Sequence, residues 1–513
     1  MKFQLKDYPE IRKQVAAMSV EELLRAVLLP NVRANDVKPR NTNAVFIHSV
    51  TSEEAKAASD EINAGRENKA LIAADIECCS AAAIRGAIRF QPLRAACETG
   101  DPQIAYEMGV ISAKDALKAG YHWSFGPCVD ILLNPTNPMT SLRTAGGDPD
   151  DVITYCGNFM KGMQDTGLVA TLKHFPGEGC GYDDQHVTLT ENPLSQEDWM
   201  ATYGKVYGTL IEEGAMAVMP GHISLASFDE PDEYGIYPPA TVSKNLLTGL
   251  LREKLGFDGI VVSDATEMGG FCGYINWYHG CAAFLEAGGD CLLFVHESED
   301  FFAAMKKCIA EGRLSVKTLQ ERAYRMACFT KQYFEKPIAP EDLEYPIEYA
   351  HQLAEKQARM AVKVVRDRNK TLPMDLKGKR VAHIVIHNAW VRNFSQVEGL
   401  TEELSKVAAK VEEIRDPGPQ ELLRLAKSGE WDYFIASILE APEWAVNTAK
   451  LCGPAARNMM CGWWKYDVPT AFVVWQSVCF AETYKPITDT VINTYGACEY
   501  TPKAVIDKLT GIL

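Results

Sequence analysis

No run among these 513 residues approaches the roughly 20 consecutive apolar residues that a membrane-spanning helix needs, so an integral membrane protein is not expected. Positive charge is scarce: 52 Lys and Arg stand against 68 Asp and Glu, a formal net charge of −16. A nucleic-acid partner, which requires clustered Lys and Arg, is therefore not expected either. The ten histidines contain no H-E-x-x-H or similar ligand spacing, and no structural metal is expected. No C-x-x-C pair occurs among the fifteen cysteines, an odd number. Cys78 and Cys79 are adjacent, and the others lie singly in apolar segments such as Asp290-Cys291-Leu292-Leu293. Reduced, buried thiols account for this pattern better than a disulfide framework. The opening Met1-Lys2-Phe3-Gln4-Leu5-Lys6-Asp7 lacks the apolar centre of a signal peptide, and a cytoplasmic location is the expectation.

What is present is ordinary globular material, 47% hydrophobic and 23% charged, in a chain too long for one core. The first 300 residues repeat one pattern: a short apolar run, a polar residue, a loop, then a helical stretch. The runs are Ala44–His48, Ala70–Asp75, the segment leading to Phe125-Gly126-Pro127-Cys128-Val129-Asp130, Leu168–His174, Ala215–His222, Gly259–Asp264 and Asp290–Phe294. Continuous apolar runs of this length read as parallel strands buried on both faces. Stretches such as Ala105–Ala119 and Lys244–Leu255 have helical spacing between them. With an eighth unit near Leu23–Leu29, the pattern predicts a (β/α)8 barrel over 1–340. Glu335-Lys336-Pro337-Ile338-Ala339-Pro340 then breaks it, and 341–368 is expected to be a linker and connecting helix, with the helical stretch over 347–366. A second alternating series, Val381–Ile386, Tyr433–Ile438, Ala471–Trp475 and Thr490–Thr494, predicts an α/β/α sandwich over 369–513. It carries no G-x-G-x-x-G, and no dinucleotide or other cofactor is expected.

In a barrel of this kind the residues just past each strand converge on one face. Asp75, Asp130, Lys173, His174, His222 and Asp264 all occupy such positions. Asp130 is expected to pair with Arg143, Glu178 to bridge Lys173 or Arg143 or to act as a substitute acid, and His222 and His48 to be supporting or core histidines. Lys173 could by its position also form a Schiff base. The most informative stretch is Lys173-His174-Phe175-Pro176-Gly177-Glu178-Gly179, followed after four residues by Asp184-Gln185-His186. A carboxylate beside an imidazole favours the protonated ring and fixes its tautomer, which suits proton donation to a leaving group.

Together with Gly256-Phe257-Asp258-Gly259 leading to Ser263-Asp264, these segments resemble glycoside hydrolase family 3, and within it the β-N-acetylglucosaminidase branch. The likeness extends through Pro239-Ala240-Thr241-Val242-Ser243, Gly126-Pro127-Cys128-Val129-Asp130, Arg143 with Gly147-Asp148-Pro149, and Asn493-Thr494-Tyr495-Gly496. The resemblance implies a retaining, exo-acting double displacement. Asp264 would be the nucleophile and His186 the acid/base, with Asp184 holding it. Asp75, Arg143, Lys173 and His174 would bind the hydroxyls of a small saccharide. Three departures bear on the choice of sugar: Glu178 stands where the branch has a second His, Ala265-Thr266 follow Asp264, and Asp75-Ile76-Glu77 is not followed by Gly-Gly. A family-3 β-glucosidase or β-xylosidase, a glycoside phosphorylase, and a sugar-binding protein without catalysis are the alternatives.

Overall fold

A strand covered on both faces must be apolar throughout, and the short apolar runs of the first 300 residues become such strands. In the computed structural model, which describes residues 2–36 and 41–513, they are β1 (Leu28–Leu29), β2 (Asn31–Val32), β3 (Ala44–Ile47), β4 (Leu71–Ala74), β5 (Trp123–Ser124), β6 (Thr171–Phe175), β7 (Thr190–Glu191), β8 (Ala217–Pro220), β9 (Ile223–Ser224), β10 (Ile260–Val261) and β11 (Leu292–Leu293). All pair in parallel: β2-β3-β4-β5 form one sheet, β6, β8 and β10 another, β7 joins β9, and β1 joins β11. Single parallel bridges link Trp123 to Val169 and Val262 to Cys291. The unit expected near Leu23–Leu29 resolves into a helix, Val20–Ala26, and β1. Leu29, Phe46, Leu71, Trp123, Phe125, Met219, Ile260 and Leu293 meet in one buried cluster.

These strands belong to a compact unit made of residues up to Ile88, Ala105–Leu133 and Gly147–Pro346. Its helices start where the sequence signals them. Thr51 caps the helix Ser52–Asn63 with a reciprocal Thr51–Glu54 box, and Ser298 and Ser315 cap two later ones. The helical stretch over 244–255 is wound widely, as a π-helix over Asn245–Lys254. Just before β11, the fully buried Asp290 meets Arg252 at 2.6 Å, Arg325 at 3.1 Å and Arg322 at 3.7 Å, and accepts the Val261 N–H at 2.9 Å. Burial pushes its pKa up, but the three guanidinium groups outweigh that and keep it below the ordinary value.

The second unit comprises Arg89–Ile104, Asn134–Gly146 and Ile347–Leu513. Its sheet contains β12 (Lys363–Asp367), β13 (Arg380–His387), β14 (Lys410–Arg415), β15 (Tyr433–Leu439), β16 (Thr470–Val474) and β17 (Thr490–Asn493), in the order β12-β17-β16-β15-β13-β14. All neighbours are parallel except β12 with β17. Alternate residues face two separate cores. Ala382, Ile384, Ile386, Phe434 and Phe472 pack with Leu422 and Leu425, whereas Val381, Val385, Ile435 and Val473 pack with Leu400, Leu404, Val505 and Leu509. The helical stretch read over 347–366 is too long. The helix is Ile347–Ala361, and the β-branched pair Val364-Val365 lies in β12, drawn into the sheet by pairing with β17. Among the described residues no helix is long and apolar enough to cross a membrane.

Candidate active site

The loops that follow β4, β5, β6, β8 and β10 bring the charged residues of the first unit together. Lys173, nearly buried, sets its ammonium 2.6 Å from Glu77 and 3.4 Å from Asp75. Burial among protein atoms raises the Asp75 pKa, against the pull of Lys173 and with the help of Glu77, although 56% of the Asp75 side chain still meets solvent. Next along the strand, His174 places Nδ1 2.7 Å from Asp130 Oδ2, and its backbone N–H also points to that carboxylate. Adjacent residues of a regular strand face opposite ways. Here the β6–β8 register shifts between Lys173 and Phe175, a local irregularity that re-aims the side chains.

Asp130 is fully buried, and its carboxylate also accepts the Glu178 N–H at 2.6 Å and the Cys128 thiol at 3.1 Å. Burial opposes its charge, but His174 leads the groups that hold its pKa below the ordinary value. The Asp130 carboxylate thereby ties down the loop from His174 to Glu178. Arg143 lies in the 134–146 segment of the second unit, where its Nη1 donates to the Met139 carbonyl at 3.0 Å. Glu178 accepts the Gln185 amide N–H at 3.1 Å and stands 4.0 Å from His174.

Asp184 and His186 form a tight pair. Asp184 is fully buried; its Oδ1 accepts the His186 backbone N–H at 2.8 Å and lies 2.6 Å from His186 Nδ1. A carboxylate only accepts, so Nδ1 carries the hydrogen there and Nε2 is the atom left to exchange a proton. The His186 side chain is 28% exposed, enough to reach a bound molecule. The 184–188 turn docks on the segment after Asp264: Gly269 N–H donates to the His186 carbonyl at 2.8 Å and Gly270 N–H to the Gln185 carbonyl at 3.1 Å. A Cβ at Gly269 would stand 2.5 Å from the Val187 carbonyl oxygen, which is why this approach needs glycine.

Asp264 follows β10 and is part-buried, with Oδ1 accepting the Ala265 N–H at 2.8 Å. Burial pushes its pKa up, but His174, His222, Lys173 and His186 together outweigh that and hold it below the ordinary carboxylate value. It is ionised at neutral pH. His222 accounts for part of this order. Its Nε2 lies 3.0 Å from the Ala265 carbonyl, which can only accept, and its Nδ1 lies 3.1 Å from the Thr241 hydroxyl. Burial, the main influence, lowers its pKa, so the ring is neutral with the hydrogen on Nε2. His222 therefore supports the residue beside Asp264, whereas His48 is exposed and contacts Asn31 at 3.3 Å. Sequence reasoning named every one of these strand-end groups but gave Glu77 and Gln185 no role. For Glu77 the signal was its place two residues beyond Asp75; Gln185 gave none besides lying inside the Asp-x-His turn.

One group among the described residues, Cys128, Asp130 and His174, has potential metal-ligating atoms all within 4.8 Å of one another. Their proximity is the geometry of the hydrogen bonds already given, with the Asp130 carboxylate at the centre.

Residues 18–328 match the family model described as "Glycosyl hydrolase family 3 N terminal domain". The chain is 31% identical over 290 residues to a "Beta-N-acetylglucosaminidase/beta-glucosidase" of Cellulomonas fimi, covering 56% of this chain and 51% of that protein. It is 32% identical over 197 residues to a "Beta-hexosaminidase" of Shewanella frigidimarina, covering 38% of this chain and 55% of that one. The chain thus spans about half the length of these two curated relatives. Among solved structures, a beta-glucoside phosphorylase superposes with a TM-score of 0.87 at 24% identity, covering 98% of this chain and 94% of its own. A family 3 beta-N-acetylglucosaminidase from a Paenibacillus species gives 0.80 at 22% identity, with 96% and 97% covered. At these identities the two superpositions speak for the fold.

Proposed function

The chain belongs to glycosyl hydrolase family 3, and from that membership we propose that it is a retaining, exo-acting β-glycosidase that releases N-acetyl-β-D-glucosamine from non-reducing ends. The observation that carries the proposal is the combination of an ionised Asp264 with an Asp184–His186 pair at 2.6 Å. A glycosidase with an oxocarbenium-like transition state needs a carboxylate below the ring and an acid at the exocyclic oxygen. In the first step an Asp264 oxygen bonds to the anomeric carbon, the bond to the leaving oxygen breaks, and His186 Nε2 gives that oxygen its proton. In the second, His186 takes a proton from water, and the water oxygen displaces Asp264. Asp184 keeps the imidazole in one tautomer and orientation throughout. Asp75, Lys173 and His174 bind the hydroxyls of the sugar.

The first unit is read as a (β/α)8 barrel. The parallel pairings β2-β3-β4-β5 and β6-β8-β10, the parallel bridges from Trp123 to Val169 and from Val262 to Cys291, and the pairing of β11 with β1 support that reading, as does the convergence of chemistry at the strand ends. The assignment extends to a catalytic barrel over 1–340, a connection over 341–368 and an α/β/α sandwich over 369–513. Fifteen free cysteines suit a reducing compartment, and the cytoplasm is the proposed place of action.

The test is product formation from aryl β-glycosides of N-acetylglucosamine and of glucose, with and without inorganic phosphate. Preference for the N-acetyl sugar, at a rate that phosphate does not change, is the expected result. Preference for the glucoside, or release of sugar 1-phosphate, would overturn the substrate or the acceptor respectively.

A further inference from the structure

Gln185, between the two members of the acid/base pair, is 1% exposed. Its Nε2 donates to Glu178 Oε2 at 3.1 Å, and its Oε1 accepts the His222 backbone N–H at 2.7 Å. The two partners fix the amide's direction, because the flipped rotamer would set N–H against N–H and oxygen against carboxylate. The Gln185 carbonyl takes the Gly270 N–H, so one residue is bonded to three loops, those after β6, β8 and β10. Each loop also carries a group of the site. Glu178 N–H is bonded to Asp130, which holds His174, and His222 Nε2 is bonded to the carbonyl next to Asp264. The surroundings fit closely: a Cβ at Gly221 would lie 2.9 Å from Gln185 Oε1.

We propose that Gln185 is a positioning residue: by gripping Glu178 and the His222 backbone with the two ends of its amide, it fixes the Asp184–His186 pair relative to Asp264. This rests on the assignment of His186 as the acid/base. It also gives Glu178 a role, as the acceptor that the Gln185 amide requires.

Two substrates and four variants test it: nitrophenyl and alkyl β-N-acetylglucosaminides, with Q185A, Q185E, E178Q/Q185E and H186A. A nitrophenolate leaves without a proton and an alkoxide does not. Q185A is therefore expected to lower kcat/KM for the alkyl glycoside roughly 10- to 100-fold, a part of the full general-acid contribution, and to change the nitrophenyl value less than about 3-fold. Q185E sets two buried carboxylates face to face and is expected to lose as much. The swap E178Q/Q185E restores a donor opposite an acceptor with polarity reversed, and is expected to return activity to within about 3-fold of wild type. Amide exchange of Val187 and Thr188, whose N–H groups bond to the Asp184 carbonyl, is expected to quicken in Q185A and Q185E and recover in the swap. An equal loss on both substrates, no loss, or a swap no better than Q185E would overturn the proposal. Since the swap retains side-chain volume, it decides the matter even where Q185A fails to fold. Failure of the acid/base assignment itself looks different: H186A would affect both substrates equally, while the exchange data still report on the grip of Gln185.

Discussion

Asp264 and Glu440 hold matching places in the two units, each a part- or fully buried carboxylate just beyond a parallel strand, β10 and β15. Their charge states differ. Asp264 is ringed by His174, His222, Lys173 and His186, which outweigh burial and lower its pKa. Glu440 has the Phe480 N–H at 2.8 Å and little cationic company, and burial raises its pKa to about 7. The second unit also holds a buried chain of neutral polar groups. There Trp475 Nε1–H donates to the Ser437 hydroxyl at 2.9 Å, Ser437 lies 2.7 Å from His383 Nε2, and His383 Nδ1 lies 2.7 Å from the Thr401 hydroxyl. Burial pushes His383 down to about 4, so this ring is a neutral link. Depth alone does not decide the charge of a strand-end carboxylate; the groups that the neighbouring loops set beside it do.

If that contrast is functional, Asp264→Ala removes the covalent route and lowers kcat by about 10⁴-fold or more, with an unchanged circular dichroism spectrum. A folded variant with normal turnover would erase the distinction between the two carboxylates. His186→Ala comes next. It is expected to slow substrates with poor leaving groups by about 10²–10⁴-fold while sparing glycosyl transfer from nitrophenyl glycosides, so that a glycosyl-enzyme accumulates as a burst. Asp184→Asn should act in the same direction and less severely. The diagnostic is kcat/KM against leaving-group pKa, and a His186→Ala slope no steeper than wild type would remove His186 from the role.

In the second unit the expected effects are on stability and not on chemistry. Between the unfolded value of 4.5 and about 7, native Glu440 keeps a proton that the unfolded chain has released. Stability therefore falls as pH rises through that window, by about 3 kcal/mol in all. Glu440→Gln should abolish the decline, matching wild type near pH 4.5 and exceeding it at pH 8 in urea unfolding. An unchanged pH profile would mean that Glu440 is as ionised as Asp264. The smallest effect belongs to Ser437→Ala, which strips Trp475 and His383 of a shared partner and should lower stability by about 2 kcal/mol at every pH above 5.

Most of this was legible where the sequence is forced. A strand buried on both faces must be continuously apolar, so β3, β4, β8, β13 and β15 stand out from the order of residues alone. Edge strands escape that rule. β14 reads Lys-Val-Glu-Glu-Ile-Arg and pairs only with β13, so its charges face water and conceal it. β12 was hidden behind the amphipathic helix that precedes it. At the site, the identity of the strand-end residues was readable, but their partners were not. That Asp130 holds His174, or that Gln185 touches Glu178 and His222, follows from loops folding back over 44, 7 and 37 residues. No local pattern encodes such distances.

The arginine-bound Asp290 has a bearing on descent. It sits just ahead of β11 and ties that strand to β10 through Val261, while the reactive groups lie past the other ends of the strands. Scaffold and chemistry are thus written in different parts of the chain. Insertions, deletions or exchanges in the loops after β4, β6 and β10 can alter the groups gathered there without disturbing this anchor. A lineage built in this way diversifies at one end of its strands and inherits the other.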